Sequence, residues 1–412
     1  MVGAVLVSSS FLPGRGGIES YLGELCDELA PRLAVVAAAE RDGRALPHDL
    51  PYPVYPFDGR LLWPGRAALQ AVVAAARAEG TDKVVFGTPW PLVLMGPRLR
   101  SHGLRYSVIV HGAEMLVPSA IPVVRRGLAA ALAGADLLLP VSLYTADMLN
   151  AFLARRAGKV PPMELLRARV DLQRFSPEVD DAPARRAYGI GPSERVVLCF
   201  GRLVPRKGVD RLIDALPAIV RRAGSTTVVI AGTGPEEKKL RRGAARTEGV
   251  AVSSGPDTGS GPETGVALPQ EPGAAEGRSR TAPPGGGRVV FTGRVPEDLT
   301  PAVYAMADVF ALPVVDRWFG LEIEGLGVVL LEAAATGVPC VTGRSGGTPE
   351  AVIDGVTGYV VDAGEPSALA GRIAHLLEHP EQARSMGLAG RTHVQENFSE
   401  RAVPAALVEW LS

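Results

Sequence analysis

The sequence predicts an α/β protein built from two Rossmann-like domains, with parallel sheets facing one another across a cleft. Three observations carry this expectation. Short apolar β-type runs alternate with helical patterns through both halves of the 412-residue chain, as right-handed βαβ units on parallel sheets require. Hydrophobic residues make up 47% of the chain and aromatic ones only 5%, which suits layered helix-on-sheet packing more than an all-β core. Glycine-bearing turns follow several of the apolar runs, at the strand ends where open α/β sheets bind their ligands.

In the first half, residues 2–7, 33–37, 84–86, 106–110 and 137–141 read as strands, with helical stretches near 19–30, 66–79, 91–101 and 121–133. The amino terminus, Met1-Val2-Gly3-Ala4-Val5-Leu6-Val7, is apolar but short and lacks a basic lead. It reads as a first strand, not a signal peptide. The second half repeats the plan with strands at 196–200, 227–231, 289–291, 309–312 and 338–342. The join is Val170-Asp171-Leu172-Gln173-Arg174-Phe175-Ser176-Pro177, so the domains are expected at 1–170 and 171–399. A short amphipathic helix at 400–412, bearing Leu407, Val408, Trp410 and Leu411, is expected to return to the first domain. Residues 247–287 are rich in Gly, Pro, Ser, Thr and Ala and poor in large apolar side chains. They predict a disordered surface insertion, because they bury too little to offset the entropy of ordering.

Composition excludes several classes. The net charge of −1 gives no reason to expect a nucleic-acid partner. Cys26, Cys199 and Cys340 lie far apart in apolar settings and read as reduced core residues, with no metal-ligand spacing. No run approaches the roughly 20 apolar residues of a membrane span.

The chemistry gathers in a few strings. Glu324 precedes Gly325-Leu326-Gly327-Val328-Val329-Leu330-Leu331-Glu332, so two acids flank a glycine hinge and an apolar run. Burying a carboxylate is costly without a partner, and a sugar or ribose hydroxyl fits, since one carboxylate accepts two such hydrogen bonds. The plainer alternative is a solvated first turn whose acids favour the helix dipole. Gly14-Arg15-Gly16-Gly17 sits between the first strand and helix and misses the G-x-G-x-x-G dinucleotide pattern. Gly16 and Gly17 still let backbone amides approach a phosphate at a helix start, although a tight turn alone would also explain them. Phe200-Gly201-Arg202-Leu203-Val204-Pro205-Arg206-Lys207-Gly208 places cations where a buried strand ends and a helix begins. Cations oppose the dipole there, so Arg202 and Lys207 point to a diphosphate. Gly293-Arg294-Val295 follows another strand, where its backbone could meet a base edge and the Arg294 stem a base face, although a loop with an exposed arginine explains the spacing nearly as well. His111, before Gly112 at a strand end, is read as a site residue in preference to a core histidine.

Together these residues resemble the retaining glycosyltransferases of family 4, which have the GT-B fold, over nearly the whole chain except 247–287. The Glu324–Glu332 pair is similar to that family's two-glutamate motif, Arg202 and Lys207 to its diphosphate-binding pair, and Gly16-Gly17 to its amino-terminal glycine loop. Within the family, the strings around Gly16, Arg202 and Glu324 resemble those of actinobacterial phosphatidylinositol mannosyltransferases. Ala113, Arg169 and Trp318-Phe319-Gly320 depart from the usual pattern.

The resemblance implies GDP-mannose as donor, a phosphatidylinositol mannoside-type glycolipid as acceptor, and a cytoplasmic site with peripheral contact to the inner membrane face. It implies a metal-independent reaction with no cofactor beyond the donor. His111, Arg202, Lys207 and Glu324 would be catalytic. Gly16, Gly17, Gly293, Arg294, Val295, Gly325, Leu326, Gly327, Val328 and Glu332 would join Arg202, Lys207 and Glu324 in binding the donor, with Glu332 on the ribose. Arg125, Arg126, Arg155, Arg156 and Lys159, near apolar helical segments, would suit anionic lipid. The alternatives are a family 4 transferase using UDP-glucose or UDP-N-acetylglucosamine, and a non-catalytic sugar-nucleotide-binding protein. A dehydrogenase is disfavoured by the missing dinucleotide pattern.

Overall fold

The computed structural model describes residues 2–14, 16–41, 43–47, 49–58, 63–255, 285–318, 320–399 and 403–412. The chain divides into two compact units, the first made of Met1–Ala168, Arg317–Leu326 and Arg401–Ser412, the second of Arg169–Asp316 and Gly327–Glu400.

The strands of the first unit are β1 (Ala4–Val7), β2 (Leu33–Ala38), the short hairpin β3 (Glu40–Arg41) and β4 (Arg44–Ala45), β5 (Val54–Phe57), β6 (Lys83–Phe86), β7 (Arg105–Val110) and β8 (Leu137–Pro140). Its helices are α1 (Gly17–Glu28), α2 (Arg66–Glu79), α3 (Gly96–Ser101), α4 (Ala113–Ala120), α5 (Pro122–Ala133) and α6 (Leu143–Arg156). The main sheet runs β5-β2-β1-β6-β7-β8, all parallel. This is the Rossmann order, and its direction reverses between β1 and β6. Every residue of β1 and β2 is buried, because helices cover both faces of a parallel sheet. Helix α2 shows the covering logic. Ala68, Leu69, Val72, Val73, Ala75 and Ala76 recur at helical spacing on its buried face, and Gly80 at φ 68° ends it. Each fully buried Val or Leu contributes about 1.5–3 kcal/mol.

The second unit holds α7 (Ala182–Tyr188), β9 (Arg195–Phe200), α8 (Val209–Ala223), β10 (Thr226–Ala231), α9 (Glu237–Arg246), β11 (Val250–Ser254), β12 (Gly287–Gly293), α10 (Thr300–Ala305), β13 (Val309–Leu312), α11 (Val328–Ala335), β14 (Cys340–Gly343), α12 (Thr348–Ala351), β15 (Gly358–Val361), α13 (Pro366–Glu378) and α14 (Pro380–Phe398). Its parallel sheet runs β11-β12-β10-β9-β13-β14-β15. Without the edge strand β11 this is the Rossmann order again, reversing between β9 and β13. The last helix, α15 (Ala405–Leu411), belongs to the first unit. It packs so closely that a Cβ on Gly3 would lie 2.0 Å from the Leu411 carbonyl oxygen.

Several elements differ from the sequence expectation. The strand expected at 338–342 starts at Cys340, because Pro339 has no N–H to give a ladder. The helix expected at 91–101 is a 3-10 turn, Leu92–Met95, followed by α3. Strands β5 and β15 and helix α4 were not anticipated. Pro56 hides β5, yet proline is tolerated there because β5 is a sheet edge. The insertion expected at 247–287 is ordered at its start, since β11 pairs with β12 in register Val250↔Gly287 through Ser254↔Phe291. The five small or β-branched residues of β11 found a ready strand edge there. The expectation for 256–284 lies outside the described residues. Segment Arg317–Leu326, expected in the second domain, groups with the first unit.

Candidate active site

In the second unit the site residues hang on loops at the carboxyl ends of the central strands. Main-chain hydrogen bonds stitch these loops together. Gly201 N donates to Ala231 O, Gly232 N to Gly293 O and Leu203 N to Thr233 O, each at 2.9 Å. Gly232 has φ 122°, and a Cβ there would lie 2.1 Å from Gly201 O. No other residue fits so close an approach.

Next comes the 3-10 turn Pro205–Lys207, ended by Gly208 at φ 65°. A Cβ on Gly208 would lie 2.0 Å from Pro313 O, and Arg206 O accepts from Val315 N at 2.9 Å. The loops after β9 and β13 are thus pinned at the point where the sheet order reverses. Lys207 sits there, only 7% exposed. Its Cε is 3.9 Å from where a Gly201 Cβ would be. It also faces the Cys199 thiol, which burial pushes up to about 12 against the opposing pull of the Lys207 charge. An ammonium held this deep acts as a point charge in a low-dielectric setting, where its pull on an anion far exceeds that at the surface. Arg202 and Arg294 are exposed on the neighbouring loops, and Val295 is half-buried.

Gly327, at φ 82°, caps α11, and Val328 is its first residue. Glu332 lies one turn further on, half-buried. One of its carboxylate oxygens, Oε2, accepts the Tyr304 hydroxyl. The Tyr304 ring stacks on Phe200, the last residue of β9, at 5.2 Å and 24°. Glu332 is therefore tied to the strand that delivers Arg202 and Lys207.

The first unit gathers its own set at its sheet reversal, between β1 and β6. Gly16 is the N-cap of α1 with extended backbone, φ −170°, and Gly17 has open space where a Cβ would go. Glu19, in the first turn, pairs with Arg41 at 3.1 Å. The pair offsets a negative charge that would otherwise weaken this helix start for an anion.

His111 is 8% exposed. Its Nε2 is 3.1 Å from Gly87 O, and a carbonyl oxygen only accepts, so Nε2 carries the proton in that bond. Burial holds the imidazole pKa below its ordinary value, against the opposing pull of Glu114. The ring is thus neutral at pH 7, with Nδ1 bearing a lone pair. Tyr21 stands edge-on to the ring at 5.2 Å, and Glu114 Oε1 accepts the His111 backbone N–H at 2.7 Å.

Glu324 is buried, 8% exposed. The next residue, Gly325, lies against the His111 carbonyl, since a Cβ there would be 2.9 Å from His111 O. Leu326 is buried beside it. The Glu324–Glu332 string therefore crosses from one unit to the other between Leu326 and Gly327. Within the units, Gly16, Gly17, His111, Glu324, Gly325 and Leu326 belong to the first, and Arg202, Lys207, Gly293, Arg294, Val295, Gly327, Val328 and Glu332 to the second. Sequence reasoning missed Tyr304, Glu19, Arg41 and Gly87. A tyrosine among apolar helical residues carries no signal beyond core, and the other three act through contacts distant in sequence.

Two Rossmann-ordered parallel sheets, each carrying polar site residues at its reversal point, define a GT-B protein. The solved structure of HepE from Anabaena, in complex with UDP and glucose, matches this fold with a TM-score of 0.71 and 20% identity, covering 100% of this chain and 99% of that one. The family described as "Glycosyl transferases group 1" matches residues 180–249 and 284–393, and "Glycosyltransferase Family 4" matches residues 15–160. The GDP-mannose-dependent alpha-(1-6)-phosphatidylinositol monomannoside mannosyltransferase of Mycolicibacterium smegmatis is 38% identical over 99% of this chain and 98% of its own length. The enzyme of the same name from Mycobacterium tuberculosis is 35% identical over 99% of this chain and 97% of its own. The chain belongs to this family of glycosyltransferases, group 1 and family 4.

Proposed function

We propose that the chain transfers mannose from GDP-mannose to a phosphatidylinositol mannoside-type glycolipid, with retention at the anomeric carbon. The observation that carries this reading is the full-length likeness to the Mycolicibacterium smegmatis mannosyltransferase. The local chemistry supports it. Lys207 and Arg202 meet the negative charge that builds on the departing diphosphate, with the amides at Gly16, Gly17, Gly327 and Val328 adding fixed dipoles. Such preorganised donors contribute about 3–4 kcal/mol each to transition-state stabilisation when well aimed. Gly293, Arg294 and Val295 take the base. Glu332 takes the ribose hydroxyls, and Glu324 the hydroxyls of the mannose. Neutral His111 offers its Nδ1 lone pair to a sugar hydroxyl near the reacting carbon. The acceptor hydroxyl attacks the face that the diphosphate leaves, and the leaving phosphate takes its proton. The new carbon–oxygen bond forms as the old one breaks, leaving GDP. No metal is needed in this scheme, because cationic side chains and amides meet the diphosphate charge.

The test is incubation of the purified protein with phosphatidylinositol monomannoside and, in turn, GDP-mannose, UDP-glucose and UDP-N-acetylglucosamine. Mass spectrometry and NMR read the product and its anomeric configuration. A dimannosylated lipid with a new α-linkage, formed from GDP-mannose alone, is expected. Transfer from a UDP-sugar would favour a family 4 enzyme of other specificity, and tight donor binding without any transfer a non-catalytic binder.

A lipid acceptor brings the protein to a membrane, and we place that contact on the first unit, at the inner membrane face. Val117, Ile121 and Val123 are 58%, 51% and 80% exposed, and Arg125 and Arg126 follow on α5. Apolar side chains beside cations suit an anionic lipid surface. No helix among the described residues is long and apolar enough to cross a membrane. Flotation with anionic vesicles and not with neutral ones is expected, and equal flotation, or none, would contradict the placement.

A further inference from the structure

Glu332 is held by a side chain that no part of the scheme above uses. Tyr304, on α10, donates its hydroxyl to Glu332 Oε2. The ring is fully buried, at 0% exposure. It stacks on Phe200 at 5.2 Å, lies tilted against Phe310 at 5.7 Å and meets Phe175 edge-on at 5.6 Å. A phenol clamped by three aromatic rings cannot swing, so its oxygen marks a fixed point. A glutamate on a helix has three rotatable side-chain bonds and holds no such position by itself. Packing alone does not require the hydroxyl, because phenylalanine would fill the same aromatic cluster. A buried hydroxyl is costly unless it is hydrogen-bonded, and its partner here is the carboxylate.

We propose that Tyr304 is a positioning residue that fixes the Glu332 carboxylate in the orientation that accepts the ribose hydroxyls of the donor. The proposal rests on the reading above that Glu332 grips the ribose. With Oε2 committed to Tyr304, the plane of the carboxylate is set before the nucleotide arrives. The entropy of arresting the side chain is then not charged to binding. Burial, reinforced by the Glu332 charge, raises the Tyr304 hydroxyl well above its ordinary pKa. It therefore remains a donor across the working pH range.

Calorimetric titration with GDP and with 2′,3′-dideoxy-GDP, which lacks both ribose hydroxyls, separates the possibilities. The proteins are the wild type, Tyr304→Phe and Glu332→Gln. The wild type should prefer GDP, and Glu332→Gln should lose most of that preference. Tyr304→Phe should weaken GDP binding about five- to tenfold, the scale of one hydrogen bond, and leave dideoxy-GDP binding unchanged. Its thermal midpoint should stay within a few degrees of the wild type. If Tyr304→Phe keeps the full preference while Glu332→Gln loses it, Glu332 still grips the ribose and the positioning role is wrong. Equal weakening of both ligands by Tyr304→Phe marks a merely structural role and also overturns the proposal. If Glu332→Gln keeps the preference, the ribose reading itself fails.

Discussion

Lys207 and Arg288 are the two positively charged side chains buried among the described residues of the second unit, and they do different work. Arg288, at the start of β12, spends its guanidinium on Gly189 O at 2.8 Å, Tyr188 O at 3.3 Å and Ser253 Oγ at 3.2 Å, with Glu194 nearby at 3.6 Å. It ties α7 to the sheet. Lys207 stands at the opposite, carboxyl ends of the strands, the end at which open α/β sheets bind their ligands. Lys207→Ala should lower kcat by about 10²–10³-fold with little change in thermal midpoint, measured by steady-state transfer and calorimetry. Arg202→Ala, at an exposed position, should cost somewhat less. Near-normal turnover in both would remove them from the diphosphate.

His111 gives a pH signature. Its folded pKa lies below the ordinary histidine value because of burial, whereas in the unfolded chain it titrates near about 6.5. Above that pH the residue is neutral in both states and stability does not depend on it. As pH falls below about 6.5, the unfolded chain binds a proton that the folded one declines, so stability is lost down towards the folded pKa. Replacing His111 with Gln should flatten that acid limb in thermal melts, and an unchanged slope would contradict a buried neutral imidazole. At this scale the charged strings around Arg202 and Glu324 were legible, because their residue types clash with ordinary core or helix-start chemistry. Tyr304 was not, because its partner Glu332 lies 28 residues away and nothing local marks the pairing.

The strand-end loops are the elements that hold most of the candidate site residues. In the second unit their backbones approach so closely that Gly232 works as a spacer of zero width. A Gly232→Ala change would meet a left-sided φ of 122° and the Gly201 carbonyl oxygen at 2.1 Å. Backbone strain alone costs on the order of 1–3 kcal/mol. The thermal midpoint should therefore fall by several degrees, and donor affinity should fall with it. A variant of wild-type stability would mean that the loops are not stitched as described. Buried central strands were readable as continuous apolar runs. Two edge strands were not, although the edge strand β8 was: β5 carries Pro56, and β11 looks too polar until the edge of β12 is there to pair with it.

For the whole molecule, the repeated Rossmann order was legible because each half alternates strand and helix with the same spacing. The return of Arg317–Leu326 and Arg401–Ser412 to the first unit was only half legible. A carboxyl-terminal apolar helix announces a crossing. A short loop inside the second half does not, since its contacts, such as Gly325 on the His111 carbonyl, are made far along the chain. Because side chains and amides are proposed to carry the diphosphate charge, excess EDTA should leave the transfer rate within about twofold of the untreated enzyme. A loss restored by a divalent cation would require a different leaving-group chemistry.

Titration calorimetry of the wild-type protein, Arg202→Ala and Lys207→Ala with GDP-mannose and UDP-glucose reaches the central claim most directly. GDP-mannose should bind the wild type at least about tenfold more tightly than UDP-glucose, a difference of about 1.4 kcal/mol, and both variants should lose most of that affinity. Undiminished GDP-mannose binding in the two variants, or a wild-type preference for UDP-glucose, would contradict it.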